Sequence, residues 1–534
     1  MATSDLGSRP APIVRTVAGA VRGTWESVDP WQSGGEPVAV FRGIPYAEAP
    51  VGELRFAAPV HRAVWSGVRD ATQFGPTPQR GETGITLIPE HSIAGDDTLS
   101  VNVWTPAPSV AATATAAAAA AGVREDAGAG LPVIVWIHGG GFVSGSPASP
   151  WYDGRAFAVH GAVCVTISYR LGFTGFGWIE GAPPNRGVLD WVCALEWVQQ
   201  NIAAFGGDPD RVTIAGQSAG GGAVLTLLGV PSARGLFCAG YAMSAAVAAP
   251  SVSAAAERTD HLARLAGVSA DLAGISALSE ERLLELQRKI TVPAAPRIIR
   301  DLHGLLRDGL MIGPLADGEI VPHDTVTGVT AGANAHVPLV LGTADDELVG
   351  LFTPRPILDH APRRALLRAL GATPAVADRW LADPESLSTA SSVVLVGRYA
   401  TDAVFRAWVP RIAAARSAAP GAGDTWSYRF AWHADAGEMT STGAPAPVFA
   451  GHCIDVPFVF DRLAEPGVER VAGPHPPQAI ADSAHGALLA LARDGAPGWR
   501  ADNAGRGPSR IFDVPEREEE DAYASARTLL DTAS

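Results

Sequence analysis

Between residues 131 and 230 the chain switches repeatedly between two hydrophobic rhythms. "LPVIVWI" and "AVCVTISY" are continuous apolar runs, the pattern of strands covered on both faces. "GVLDWVCALEWVQQNIAAFG" (187–206) repeats apolar residues at helical spacing and stops at a glycine. "RVTIAGQSAGGGAVLTLLGV" then reads as strand, turn and helix. Strands and helices joined by such short links predict a parallel sheet with helices on both faces.

The flanks extend the same picture. Residues 13–23 and 38–41 read as short strands, and "LSVNVWTP" (99–106) alternates apolar and polar residues, as a half-buried strand does. The Ala-rich tract 111–130 lacks an amphipathic period and reads as a surface insertion between strands. A buried strand returns in "VPLVLGTADDE" (337–347), another in "TWSYRFAW" (425–432), and a late helix in "QAIADSAHGALLALARDG". Helical patterns fill about 251–310 and 354–420. The expectation is one α/β domain over residues 1–534, with those two helical insertions forming a cap.

Composition narrows the chemistry. A net charge of -15 argues against a basic surface for nucleic acid or anionic membrane, so neither is expected as a partner. The N-terminal stretch lacks the charged start and apolar core of a secretory signal, and no apolar window is long enough to span a bilayer. The four cysteines, Cys164, Cys193, Cys238 and Cys453, are far apart with no CxxC pair. A disulfide scaffold or zinc site is therefore not expected, and the reading is a cytoplasmic protein without metal or cofactor.

One constellation carries chemistry. Gly-Gln-Ser-Ala-Gly places Ser218 at a strand-to-helix junction with Gly216 and Gly220 two positions away on either side. A serine nucleophile sits on such a tight turn, where strand and helix pass too close for side chains. "HGGGF" (138–142) ends the apolar strand before it, and its glycines can turn N–H groups toward one point. Gly140, Gly141 and the N–H of Ala219 are the natural donors to an oxyanion. In this fold the acid and then the base follow the serine along the chain. His452 in "GHCIDVPFVF" suits the base, while Asp345, Asp346 and Glu347 at the end of a buried strand are equally placed for the acid.

These segments, with "FRGIPYAEAPVGELRFAAP" (41–59), "PLADGEIVP" (314–322) and others in the same order, resemble the type-B carboxylesterases, which include cholinesterases and bacterial para-nitrobenzyl-type esterases. Recognisable blocks run from about residue 13 to Asp513. The resemblance implies an α/β-hydrolase fold. It puts the nucleophile on Ser218, the acid on Glu347 and the base on His452, and it gives Ser244 a supporting role. The chain departs from the family pattern at four places. Gln217 stands where the family has Glu before the nucleophile, Thr98 and a shortened loop replace an early disulfide, Ala245 follows Ser244 in place of Gly, and Leu348 follows the acid in place of Gly.

The expected reaction is ester hydrolysis through an acyl-enzyme, with a small-molecule ester as the partner and a monomeric or homodimeric protein. Aromatic residues next to the motifs, Phe142, Trp178 and Phe352, are expected to line the substrate pocket. An amidase or carbamate hydrolase would use the same residues, and a non-catalytic binding protein would be expected to lose some of them.

Overall fold

The computed structural model describes residues 9–530, apart from 29–34, 82–86, 107, 109–129, 249, 292–302, 307–308, 352–360, 388–390, 436, 442–444, 446–447 and 503–504. The Ala-rich tract, parts of both helical insertions and Phe352 lie outside the described residues.

The central sheet is built from β3 (Thr24–Glu26), β4 (Val38–Pro45), β6 (Ser100–Thr105), β7 (Leu131–Ile137), β8 (Val163–Ile167), β9 (Gly207–Gln217), β10 (Ala239–Met243), β11 (Leu339–Ala344), β12 (Thr425–Phe430), β13 (Pro508–Phe512) and β14 (Arg517–Glu520). Their spatial order is β14-β13-β12-β11-β10-β9-β7-β8-β6-β4-β3. The stretch from β13 to β8 is parallel throughout, and antiparallel strands finish both edges. A small sheet of β1 (Ile13–Arg15), β2 (Ala20–Arg22) and β5 (Val68–Asp70) stands apart.

Both faces of the parallel region are covered, which is why its strands read as unbroken apolar runs. Along β7, Val133, Val135 and Ile137 enter one buried cluster while Ile134 and Trp136 enter another. Each such side chain contributes about 1.5–3 kcal/mol by leaving water. The helix Arg186–Asn201 covers the first face, continues as a 3₁₀ turn to Phe205 and stops at Gly206, whose φ of 87° only glycine adopts cheaply. The helix Gln478–Asp494 covers the other face and ends at Gly495 in the same way.

One sequence expectation fails on β6. Its alternation suggested a half-buried strand, yet all six residues are buried. Asn102 and Thr105 are satisfied internally instead. Asn102 donates to Thr166 Oγ1 and accepts from the Gly43 N–H, each at 2.9 Å, and the Thr105 hydroxyl donates to the Phe205 carbonyl. Alternating polarity marks solvent exposure only where no second layer supplies hydrogen-bond partners. The helical stretches contain, among others, Val252–Ala266, Glu280–Thr291, Ser392–Thr401 and Trp408–Ala418. Among the described residues no helix is long and apolar enough to cross a membrane.

Candidate active site

The parallel strands end at a common edge, and the turns that leave it build the site. β9 passes into the helix Ala219–Gly229 through Ser218, which holds φ 58° and ψ -121°. That backbone is unfavourable for a residue with a side chain, by about 1–3 kcal/mol. Three hydrogen bonds hold it: the Ser218 N–H donates to the Met243 carbonyl, and the Ser218 carbonyl accepts from Gly222 and Ala246, all at 2.9 Å. The flanking glycines are required by space. A Cβ on Gly220 would lie 1.9 Å from the Ile137 carbonyl oxygen, and one on Gly216 would lie 2.5 Å from the Gly220 backbone.

The other two turns are laced together. Asp346 N–H donates to the Ala450 carbonyl at 2.9 Å, and His452 N–H donates to the Glu347 carbonyl at 3.2 Å. His452 Nε2 then lies 2.9 Å from Ser218 Oγ, and its Nδ1 lies 2.5 Å from Glu347 Oε2. The Glu347 carboxylate is shut off from solvent and accepts the Ala344 N–H through its other oxygen at 2.9 Å. This settles which acid faces the histidine. Asp345 turns to Arg429 in a two-pronged contact at 2.8 Å, and Asp346 to Arg398 at 3.4 Å. The side chains of neighbouring residues in a tight turn diverge, so only one of the three can meet His452.

Burial works against the His452 imidazolium, but Cys453 and Glu347 beside it more than offset this, and the ring titrates well above its ordinary range. The Cys453 thiol is itself pushed up by burial. The Gln217 amide nitrogen lies 3.3 Å from His452 Nε2, and the Cys453 thiol donates to Gln217 Oε1 at 3.5 Å. Phe405, in the π-helical turn Asp402–Arg406, tilts over the imidazole at 4.9 Å between centroids.

The glycine turn after β7 starts at His138, whose ring stacks on Tyr169 and whose pKa burial lowers to about 4, so it stays neutral. Gly140 and Gly141 take φ of 101° and 62°. Among the described residues no acceptor takes the N–H of either, and the Ala219 N–H opens a helix, where it has no intrahelical partner. Gly141 and Ser218 together floor a cavity of about 940 Å3. Leu306, Leu310, Leu348, Val404, Phe405 and Trp408 wall it, and Glu257, Arg258, His261 and Lys289 also line it.

Two aromatic expectations are corrected. Phe142 is fully buried and packs against Phe176 and Trp191, and Trp178 does not line the Ser218 cavity either. Phe142 follows the glycines at φ 62°, which aims its ring under the turn into the core. The residues that do wall the cavity come from helical segments whose periodicity is that of any packed helix, so Phe405 and Trp408 gave no local signal. Ser244, at φ 44°, is fully buried, and its hydroxyl has no hydrogen-bond partner among the described residues. Leu348, in the position of the family's glycine, donates its N–H to Thr401 Oγ1 and turns its side chain into the cavity.

Comparison with known proteins identifies the family. The carboxylesterase family profile matches residues 10–472. The para-nitrobenzyl esterase of Bacillus subtilis (strain 168) is 33% identical over 511 residues, covering 92% of this chain and 91% of its own. The fumonisin B1 esterase of Sphingopyxis macrogoltabida is 30% identical over 86% of this chain and 76% of its own. Among solved structures, the Geobacillus stearothermophilus carboxylesterase EST55 superposes with a TM-score of 0.77 at 32% identity, over 96% of this chain and 99% of that one. A sheet with the α/β-hydrolase turn at Ser218, matched along nearly its whole length by esterases, makes this chain a member of the carboxylesterase family, whose chemistry is the hydrolysis of carboxylic esters.

Proposed function

We propose that Ser218, His452 and Glu347 carry out ester hydrolysis through an acyl-enzyme on Ser218. The observation that carries this reading is the continuous contact Glu347–His452–Ser218 at 2.5 and 2.9 Å, ending on a serine held on a strained turn. His452 Nδ1–H donates to the Glu347 carboxylate, which leaves Nε2 free to accept a proton. As Ser218 Oγ bonds to the ester carbonyl carbon, its proton passes to His452 Nε2. The carbonyl oxygen becomes an oxyanion that accepts hydrogen bonds from the N–H groups of Gly140, Gly141 and Ala219. Each such donor is worth about 2.7–4 kcal/mol in the barrier. His452 then gives its proton to the leaving alkoxide oxygen, releasing the alcohol. Water, deprotonated by the same nitrogen, attacks the acyl-enzyme and releases the acid.

The cavity supports uncharged esters of modest size. Its volume of about 940 Å3 is at the upper end for a small-molecule site, and leucines, Val404, Phe405 and Trp408 supply an apolar wall. The helices Val252–Ala266 and Trp408–Ala418 contribute lining residues, which supports their role as part of a cap. The four cysteines are unpaired, which supports a reducing compartment such as the cytoplasm.

A fluorophosphonate probe tests the assignment. The wild-type chain should label once and lose para-nitrophenyl ester hydrolysis in step, and Ser218→Ala should neither label nor turn over. Labelling that persists in folded Ser218→Ala would place the nucleophile elsewhere.

A further inference from the structure

The helix Arg186–Asn201 carries Cys193 and Glu196 one turn apart, and both meet His61. Cys193 Sγ lies 3.6 Å from His61 Nδ1, and His61 Nε2 lies 3.1 Å from Glu196 Oε2. One thiol sulfur, one imidazole nitrogen and one carboxylate oxygen come within 4.8 Å of one another. We propose that Cys193, His61 and Glu196 form a binding site for a divalent cation of the zinc type, separate from the Ser218 cavity.

The donor set suits such an ion. Thiolate, imidazole and carboxylate are its ordinary ligands, with a metal–sulfur distance of about 2.3 Å and a metal–nitrogen distance of about 2.0–2.1 Å. Two such ligands at a tetrahedral angle stand about 3.5 Å apart, and Cys193 Sγ and His61 Nδ1 already stand at 3.6 Å. Thiolate and carboxylate together balance the two positive charges. Access is one-sided: Cys193 is buried, while the side chains of His61 and Glu196 are 55% and 38% exposed. A cation can therefore enter from solvent, and water can fill the fourth position. Glu196 touches the other ring nitrogen, and its exposed side chain would leave Nε2 to close on the ion.

The ligands sit on firm supports. Cys193 and Glu196 share a helix packed on the sheet, and the His61 backbone bridges to Ala47, just past β4. The ion would clip the segment around His61 to that helix. Burial and the nearby Asp190 and Glu196 carboxylates push the Cys193 thiol up to about 12. Binding sulfur as the thiolate releases the thiol proton to solvent. The apparent affinity therefore rises as pH rises.

Cobalt(II) reports the site because a cobalt–thiolate bond absorbs in the near ultraviolet. The chain, stripped with a chelator, should develop this band with one equivalent of Co2+, lose it to Zn2+, and bind more tightly as pH rises. Cys193→Ser should abolish the band, and Cys238→Ser, at the exposed cysteine, should keep it. His61→Ala, at an exposed position that leaves ester hydrolysis intact, should weaken Co2+ at least about tenfold. No band in the wild type, a band that survives Cys193→Ser, or unchanged affinity in His61→Ala would overturn the proposal.

Discussion

Gly220→Ala isolates the contact between the two turns that matter most. The added methyl would stand 1.9 Å from the Ile137 carbonyl oxygen and 3.0 Å from that of His138. Carbon–oxygen pairs do not approach below about 3 Å, so helix and strand must part by about 1 Å or more. Ile137 ends β7, pairs with Gly216 and leads directly into the glycine turn, so the movement falls on the proposed oxyanion donors and on Ser218 together. Overpacking of this kind costs about 1–3 kcal/mol of stability. A donor displaced by about 1 Å costs about 100-fold in rate, and a donor lost outright about 100- to 1000-fold. The expected variant is folded, melts lower than wild type, and hydrolyses a para-nitrophenyl ester with kcat reduced at least about 100-fold and KM little changed. Gly486→Ala is the control: a methyl there, inside the helix Gln478–Asp494, meets nothing within 4 Å. It should leave kcat alone and stabilise by about 0.5–1 kcal/mol. A Gly220→Ala enzyme with kcat within about threefold of wild type would refute the claim that this contact sets the donor geometry.

Two further changes probe the acid turn. Glu347→Gln removes one of the two neighbours, with Cys453, that raise His452, so the acid limb of kcat/KM should move to lower pH while the plateau falls about 1000-fold or more. The sign follows because the neutral ring is the base: a lower pKa keeps it neutral further into acid. An unmoved limb, or equal damage from Asp346→Asn, would contradict the assignment. Arg429→Met leaves the mostly buried Asp345 carboxylate, 18% exposed, without its guanidinium partner and should cost up to about 3 kcal/mol, less than a fully buried pair, read as a lower melting temperature at pH 7. Burial pushes Asp345 up, but Arg429 outweighs it and holds the group below its ordinary value. This stabilisation is therefore full above about pH 4 and is lost as pH falls through the lowered pKa, so the gap between wild type and variant should narrow in acid.

Much of this protein is written locally. The apolar runs of β7, β8 and β9 mark strands covered on both sides, because a parallel sheet buries both its faces. The glycines at 216 and 220 announce a turn where backbones touch, since nothing larger fits there. Ser218 and the glycine turn were legible for the same reason: each depends on neighbours within a few residues. His452 was legible only as one histidine in a suitable setting, and the choice of Glu347 over its two neighbours needed the family resemblance.

Tertiary structure decided what distant segments do to one another. It turned Asp345 toward Arg429 and Glu347 toward His452, a choice made by the direction of each side chain in a turn laced to the His452 loop. It took Phe142 into the core and put Phe405 over the imidazole, because a positive φ and a helix 263 residues further along the chain fix where each ring points. It made β6 fully buried by giving Asn102 and Thr105 partners. It also set His61 against Cys193, residues 132 apart that no spacing rule connects. Sequence determines conformation where the forces are short-ranged along the chain, and only the folded chain determines which remote groups share a site.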